Sequence, residues 1–185
     1  MVEGKQIISM DKMENAAKDL VLAMGYPLEG DLEKTPERVA KMWYELLTPE
    51  KFELTDFETG GYNGMIVQGR IPFVSICRHH LLPFYGTASV GYLPKGKIVG
   101  LSKLARTVEH FSKALQTQEY MTMQIADFLF DKLDAHGVGV YMEGRHMCME
   151  IRGVEKPAVT YTQWLRGNFH ESAIKEEFMQ FALRG

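Results

Sequence analysis

Apolar residues recur at helical spacing from Asp11 onward, at Met13, Ala16, Ala17, Leu20 and Met24, and the run stops at Gly25. A second helix start stands at Thr35-Pro36-Glu37-Arg38. Thr35 suits a cap, Pro36 the first helical position, and Glu37 the positive end of the dipole. Val39, Met42, Trp43, Leu46 and Leu47 form its apolar stripe, and Pro49 closes it. Residues 56–64 carry the Gly, Thr and Asn of a loop. From Met65 the period changes to two. Met65, Val67, Ile71 and Phe73 alternate around an interruption at Gly69, and Phe84 to Leu93 follow a His-His-Leu-Leu-Pro bend, which predicts two strands.

Helical spacing returns near Ser102 with Leu104, Val108, Phe111 and Leu115, and again over 117–134 with Met121, Ile125, Phe128, Leu129 and Leu133. Val138 to Arg152 and Val159 to Leu165 alternate as strands, and a last helix fills 171–183. A strand pair, a helix pair and a second strand pair predict an α+β domain with an antiparallel sheet. We therefore expect a helical N-terminal extension over 1–64 and a main domain over 65–185 that ends in the C-terminal helix.

Composition narrows the function. The chain has 185 residues, 45% hydrophobic and 24% charged, with a formal net charge of −3. That is enough chain for one substantial core. The slight acidity argues against nucleic-acid or membrane-surface binding, which needs clustered Lys and Arg. No apolar run spans a bilayer, and Met1-Val2-Glu3-Gly4-Lys5 lacks a secretory pattern, so a cytoplasmic protein is expected. Twelve Met residues suit an irregular core.

The only two cysteines, Cys77 and Cys148, each lie within three residues of a histidine, in Cys77-Arg78-His79-His80 and His146-Met147-Cys148. Thiolate and imidazole are zinc donors. Cys77 and His80 reach one ion only if their strand ends there, because side chains on a strand alternate. On a continuing strand, His146 and Cys148 share a face. These candidates allow either three ligands with an open position, as a catalytic site needs, or a closed structural site. His110, His136 and His170 fit surface or capping roles better.

Gly100-Leu101-Ser102-Lys103-Leu104-Ala105-Arg106 opens a helix after a turn. Its free N–H groups suit a phosphate, with Lys103 and Arg106 on one face and Arg152 as a further fork. A solvated helix face reads equally from the same residues. Glu119, after Gln118, is either a dipole complement or a carboxylate for the N–H edge of a guanine.

Taken in order, these segments resemble GTP cyclohydrolase I. The matching stretches are Ser75 to Phe84, Gly100 to Arg106, Leu115 to Glu119, His146 to Met149 and Arg152-Gly153-Val154, with Thr35 to Val39 upstream. The resemblance implies a tunnelling fold, an antiparallel sheet with a helix pair on one face. It also implies a homodecamer with active sites at subunit interfaces, and conversion of GTP and water to formate and 7,8-dihydroneopterin triphosphate. It would make Cys77, His80 and Cys148 the ligands of a Zn2+ cofactor and leave His79 and His146 for proton transfer. Lys103, Arg106 and Arg152, with Arg38 assisting, would hold the triphosphate. Ser102 would contact the ribose, and Gln118 with Glu119 would read the base.

Arg78 departs from the family, which usually has Glu after the first Cys. Arg70 stands where an acid is common, and Tyr120 replaces a basic residue. Arg78 either forms a salt bridge elsewhere or strengthens attraction for an anion. Two alternatives stay in view: a related tunnelling-fold enzyme acting on a deazaguanine, and a zinc-bound, catalytically altered paralogue.

Overall fold

The computed structural model describes residues 7–184. The chain divides into two compact units between Thr48 and Pro49. In the first, α1 (Met10–Ala23) is capped by Ser9, whose hydroxyl accepts the Lys12 N–H, and α2 (Thr35–Leu47) carries Pro36 in its first turn. Lys34, not Thr35, occupies the cap position of α2. α1 and α2 pack on each other, and Ala17 and Ala40 are buried, whereas Leu20, Met24 and Met42 of the expected stripes are exposed.

The second unit begins with a difference from the sequence pattern. The segment read as a loop contains β1 (Asp56–Glu58), which pairs antiparallel with β4 (Lys97–Val99). The main sheet takes β2 (Ile66–Cys77), β3 (Pro83–Leu93), β5 (Leu115–Gln116), β6 (Gly137–His146) and β7 (Val159–Gly167) in the order β5-β2-β3-β6-β7. Four of these strands are antiparallel, and the short β5 adds a parallel edge to β2.

Two helices, α3 (Leu101–Ser112) and α4 (Gln118–Leu133), cover one face. Leu104, Val108, Met121, Ile125 and Leu129 pack there with Phe73, Phe84, Val90, Val140 and Met142 into the main core. The opposite face buries Tyr141, Phe169 and Phe178 beneath α6 (Ser172–Ala182). Gly91 and Gly139 face each other across β3 and β6, and a Cβ on either would strike the Phe178 or Phe169 ring. Their bare backbone lets α6 sit close to the sheet.

The break at Gly69 is a bulge: the register of β2 against β3 shifts between Gln68 and Ile71, and Arg70 adopts φ 53°. Ser89 Oγ accepts the Arg70 N–H at 3.2 Å and donates to the Ala182 carbonyl at 3.3 Å, tying the bulge to the end of α6. No helix among the described residues is long and apolar enough to cross a membrane.

Candidate metal and substrate site

β2 ends at Cys77 because the chain curls there. The Leu81 N–H donates to the Cys77 carbonyl and the Cys77 N–H to that of Leu82, both at 2.9 Å, while Leu81 takes φ 54°. The curl brings His80 Nδ1 to 3.8 Å from Cys77 Sγ. The third donor arrives differently from the strand extension expected for residues 138–152. β6 stops at His146, and residues Met147–Glu150 form a single helical turn, α5, which carries Cys148. The physical reason is the partner strand. Phe84 opposite His146 is the last paired position, so the chain beyond it closes its own turn, with the Ile151 N–H on the Met147 carbonyl at 3.1 Å.

The ligand atoms of Cys77, His80 and Cys148 all lie within 4.8 Å of one another. A tetrahedral zinc with bonds of about 2.0–2.3 Å sets its ligand atoms roughly 3.5–3.8 Å apart, so this donor set fits such an ion with small closure. His79 Nδ1 lies 3.9 Å from Cys77 Sγ, outside this mutually close group. Burial and the neighbouring Cys77 thiol push the Cys148 pKa up, while the Arg152 guanidinium pulls it down. α5 is clamped at its end: Arg145 Nε and a terminal guanidinium nitrogen donate to the two Glu150 oxygens at 2.8 and 2.6 Å. That fork depresses the Glu150 pKa.

His146 does not turn toward the three donors. Its Nε2 lies 2.9 Å from Gln118 Oε1, and its ring stacks on Phe84 with centroids 4.8 Å apart. Burial lowers its pKa, and the carboxylates of Glu119 and Glu150 act in the opposite direction. Glu119 thus shares an electrostatic neighbourhood with His146. It also lines an open cleft of ≈ 500 Å³ with Thr117, Tyr120, Met123, Thr162, Gln163 and Trp164.

The chain matches the family pattern described as GTP cyclohydrolase I over residues 13–183. It is 44% identical over 177 residues to "GTP cyclohydrolase 1" of Aquifex aeolicus, covering 94% of this chain and 96% of that one. The protein of the same name from Bacteroides fragilis is 41% identical, covering 97% of each. The chain belongs to the GTP cyclohydrolase I family. It is therefore one of a family of enzymes. It is also 40% identical to the "Bifunctional protein FolKE" of Lactococcus lactis, covering 94% of this chain and 52% of that longer one.

The other residues that the GTP cyclohydrolase I resemblance singled out are not among the three mutually close donors. Ser102, Lys103 and Arg106 lie on the first two turns of α3, with no hydrogen bond or ion pair to the cluster among the described residues. Arg106 lines a narrow crevice with Glu50, Phe52, Glu109 and His110. Arg152 is exposed just beyond α5, and Arg38 is exposed on α2 of the helical unit. Gln118, expected beside the base, is turned inward and only 1% exposed. Arg70 pairs with Glu143 at 3.5 Å, whereas Arg78 is exposed and forms no ion pair among the described residues. Sequence reasoning missed the Gln118–His146 bond, the stacked Phe84 and the Arg145–Glu150 clamp. The Phe84 stack depends on strand register, the Gln118 bond on where α4 lies against the sheet, and the Arg145–Glu150 fork on β6 giving way to a helical turn, none of which the local pattern encodes.

Proposed function

We propose that the chain is a zinc-dependent GTP cyclohydrolase I that converts GTP and water to formate and 7,8-dihydroneopterin triphosphate. The observation that carries this reading is the convergence of Cys77, His80 and Cys148 in a chain of this family. These three residues would hold zinc, which when bound supplies water acidic enough to act as a nucleophile near neutral pH.

The chain's own groups do the rest. Glu119 pairs with the two N–H donors of the guanine edge from the wall of its cleft, an arrangement adenine leaves unsatisfied. His79, exposed beside Cys77, donates a proton to the purine N7 as C8 is attacked. His146 moves the protons that open the imidazole ring and release formate. The ribose then rearranges and closes on the freed amine. Lys103, Arg106 and Arg152 bind the triphosphate, with Arg38 assisting, and Ser102 contacts the ribose. Because Lys103 and Arg106 have no link to the donors within one chain, we place the complete site at an interface of a homo-oligomer, as the expected decamer implies.

The test loads the full chain with zinc, adds GTP, and measures formate together with pterin fluorescence after oxidation. Equal yields of both products are expected. Neither product, with one zinc per chain, would overturn the reading in favour of an altered substrate.

A further inference from the structure

Gln118 is the first residue of α4, and its side chain is enclosed by the sheet. Its Nε2 donates to the Thr160 carbonyl at 2.9 Å, to Thr162 Oγ1 at 3.1 Å and toward the Met142 carbonyl at 3.4 Å. Backbone carbonyls only accept, so the amide has one possible orientation: nitrogen toward Thr160 and Met142, oxygen toward His146. The hydroxyls extend this chain of donors. Thr162 Oγ1 lies 2.7 Å from Thr122 Oγ1, which donates to the Gln118 carbonyl at 2.7 Å. Thr122 Oγ1 also reaches Met142 Sδ at 3.2 Å, and with its hydrogen on the Gln118 carbonyl the chain of bonds closes on Gln118 itself.

Behind the amide stands Gly144, where a Cβ would lie 2.5 Å from Gln118 Oε1. Across the imidazole, Phe84 is fully buried and stacks within 2° of parallel. The His146 ring is thus fixed by its edge and by its face. Oε1 accepts only, so the His146 Nε2 that meets it at 2.9 Å carries a hydrogen. Nδ1 has no protein partner among the described residues.

We propose that Gln118 is a positioning residue that fixes the His146 ring, with the Nε2–H held on Gln118 Oε1 and the Nδ1 edge left for the substrate. Base reading then falls to Glu119 and not to the Gln118 amide. The proposal rests on the proton-transfer role of His146 in the reaction above.

The decisive measurement needs no turnover. In the zinc-loaded full chain labelled with 15N-histidine, solid-state NMR of the ring nitrogens separates protonated from bare sites, and His146→Asn identifies the His146 pair. A protonated Nε2 with a bare Nδ1 in the neutral ring is expected. A bare Nε2 overturns the proposal whether or not GTP is the substrate. Kinetics supply the second arm. Gln118→Met, which keeps length and loses the amide's hydrogen bonds, lowers kcat about 100-fold with KM within about threefold. Gly144→Ala, which crowds the amide from behind, acts in the same direction. Gln118→Glu, able as the neutral acid to donate to Thr160 and accept from His146, recovers at least about tenfold over Gln118→Met. A raised KM with unchanged kcat in Gln118→Met would return Gln118 to the base and overturn the assignment.

Discussion

Cys77 and Cys148 reach one place from different kinds of backbone, a strand end and a helical turn, and this difference sets what each substitution does. Cys148→Ser leaves two donors, too few for a tetrahedral site. Zinc is expected to fall from one per chain to near none after dialysis against a mild chelator, read by elemental analysis. His79→Asn keeps its zinc, because His79 lies outside the mutually close donors; loss of metal there would refute the ligand assignment. Glu119→Gln removes a charged acceptor from the cleft wall, and kcat/KM for GTP drops about 10- to 100-fold in steady-state assays. A Cys and His cluster was legible in the sequence because both residues are rare and their spacing is short, whereas the choice of Cys77, His80 and Cys148 within it came from the family resemblance. The route of Cys148 was not legible. Met-Cys-Met-Glu is too short to show a helical period, and nothing local says that β3 offers no partner beyond Phe84.

At the scale of elements, long periodic segments were readable and the close approaches between them were not. The α4 stripe and the bulge at Gly69 follow from spacing and from one glycine. The docking of α6 depends on Gly91 and Gly139 falling opposite each other, which only the β3–β6 register arranges. Gly139→Ala places a methyl against the Phe169 and Phe178 rings, both of which are fully buried. Overpacking of this kind costs about 1–3 kcal/mol, seen as a lowered denaturant midpoint with unchanged slope.

α5 makes a second case. The Arg145–Glu150 fork holds the turn that carries Cys148, so Glu150→Gln is expected to release zinc to a chelator about tenfold faster. The sign with pH follows from Glu150. Its folded pKa lies below the usual carboxylate value, so the fork is intact above that value and is lost only as pH falls through the depressed one. The difference between parent and variant in zinc release therefore closes at acid pH and is full at neutral pH.

For the whole molecule, the telling feature is an uncovered sheet edge. β7 ends the strand order, so among the described residues one side of its nine residues lacks a partner strand, and Val159, Tyr161 and Trp164 are exposed on it. Such an edge pairs with another chain unless it is blunted. The cleft that holds Glu119 opens on this same strand, through Thr162, Gln163 and Trp164. A second copy seated on β7 would cover the edge and wall the cleft at once. Sedimentation is therefore expected to give a mass of at least two 21.1 kDa chains. Tyr161→Asp tests the link between assembly and chemistry. The side chain is 61% exposed in the single chain, so its replacement leaves the fold intact, but a carboxylate there opposes strand addition. The variant should sediment as smaller species and lose GTP turnover in parallel, with activity returning as protein concentration drives reassembly. Smaller species that keep full activity would place every group the reaction needs within one chain, and Lys103 and Arg106, which make no bond to the donors among the described residues, would then have to reach the same substrate from within it.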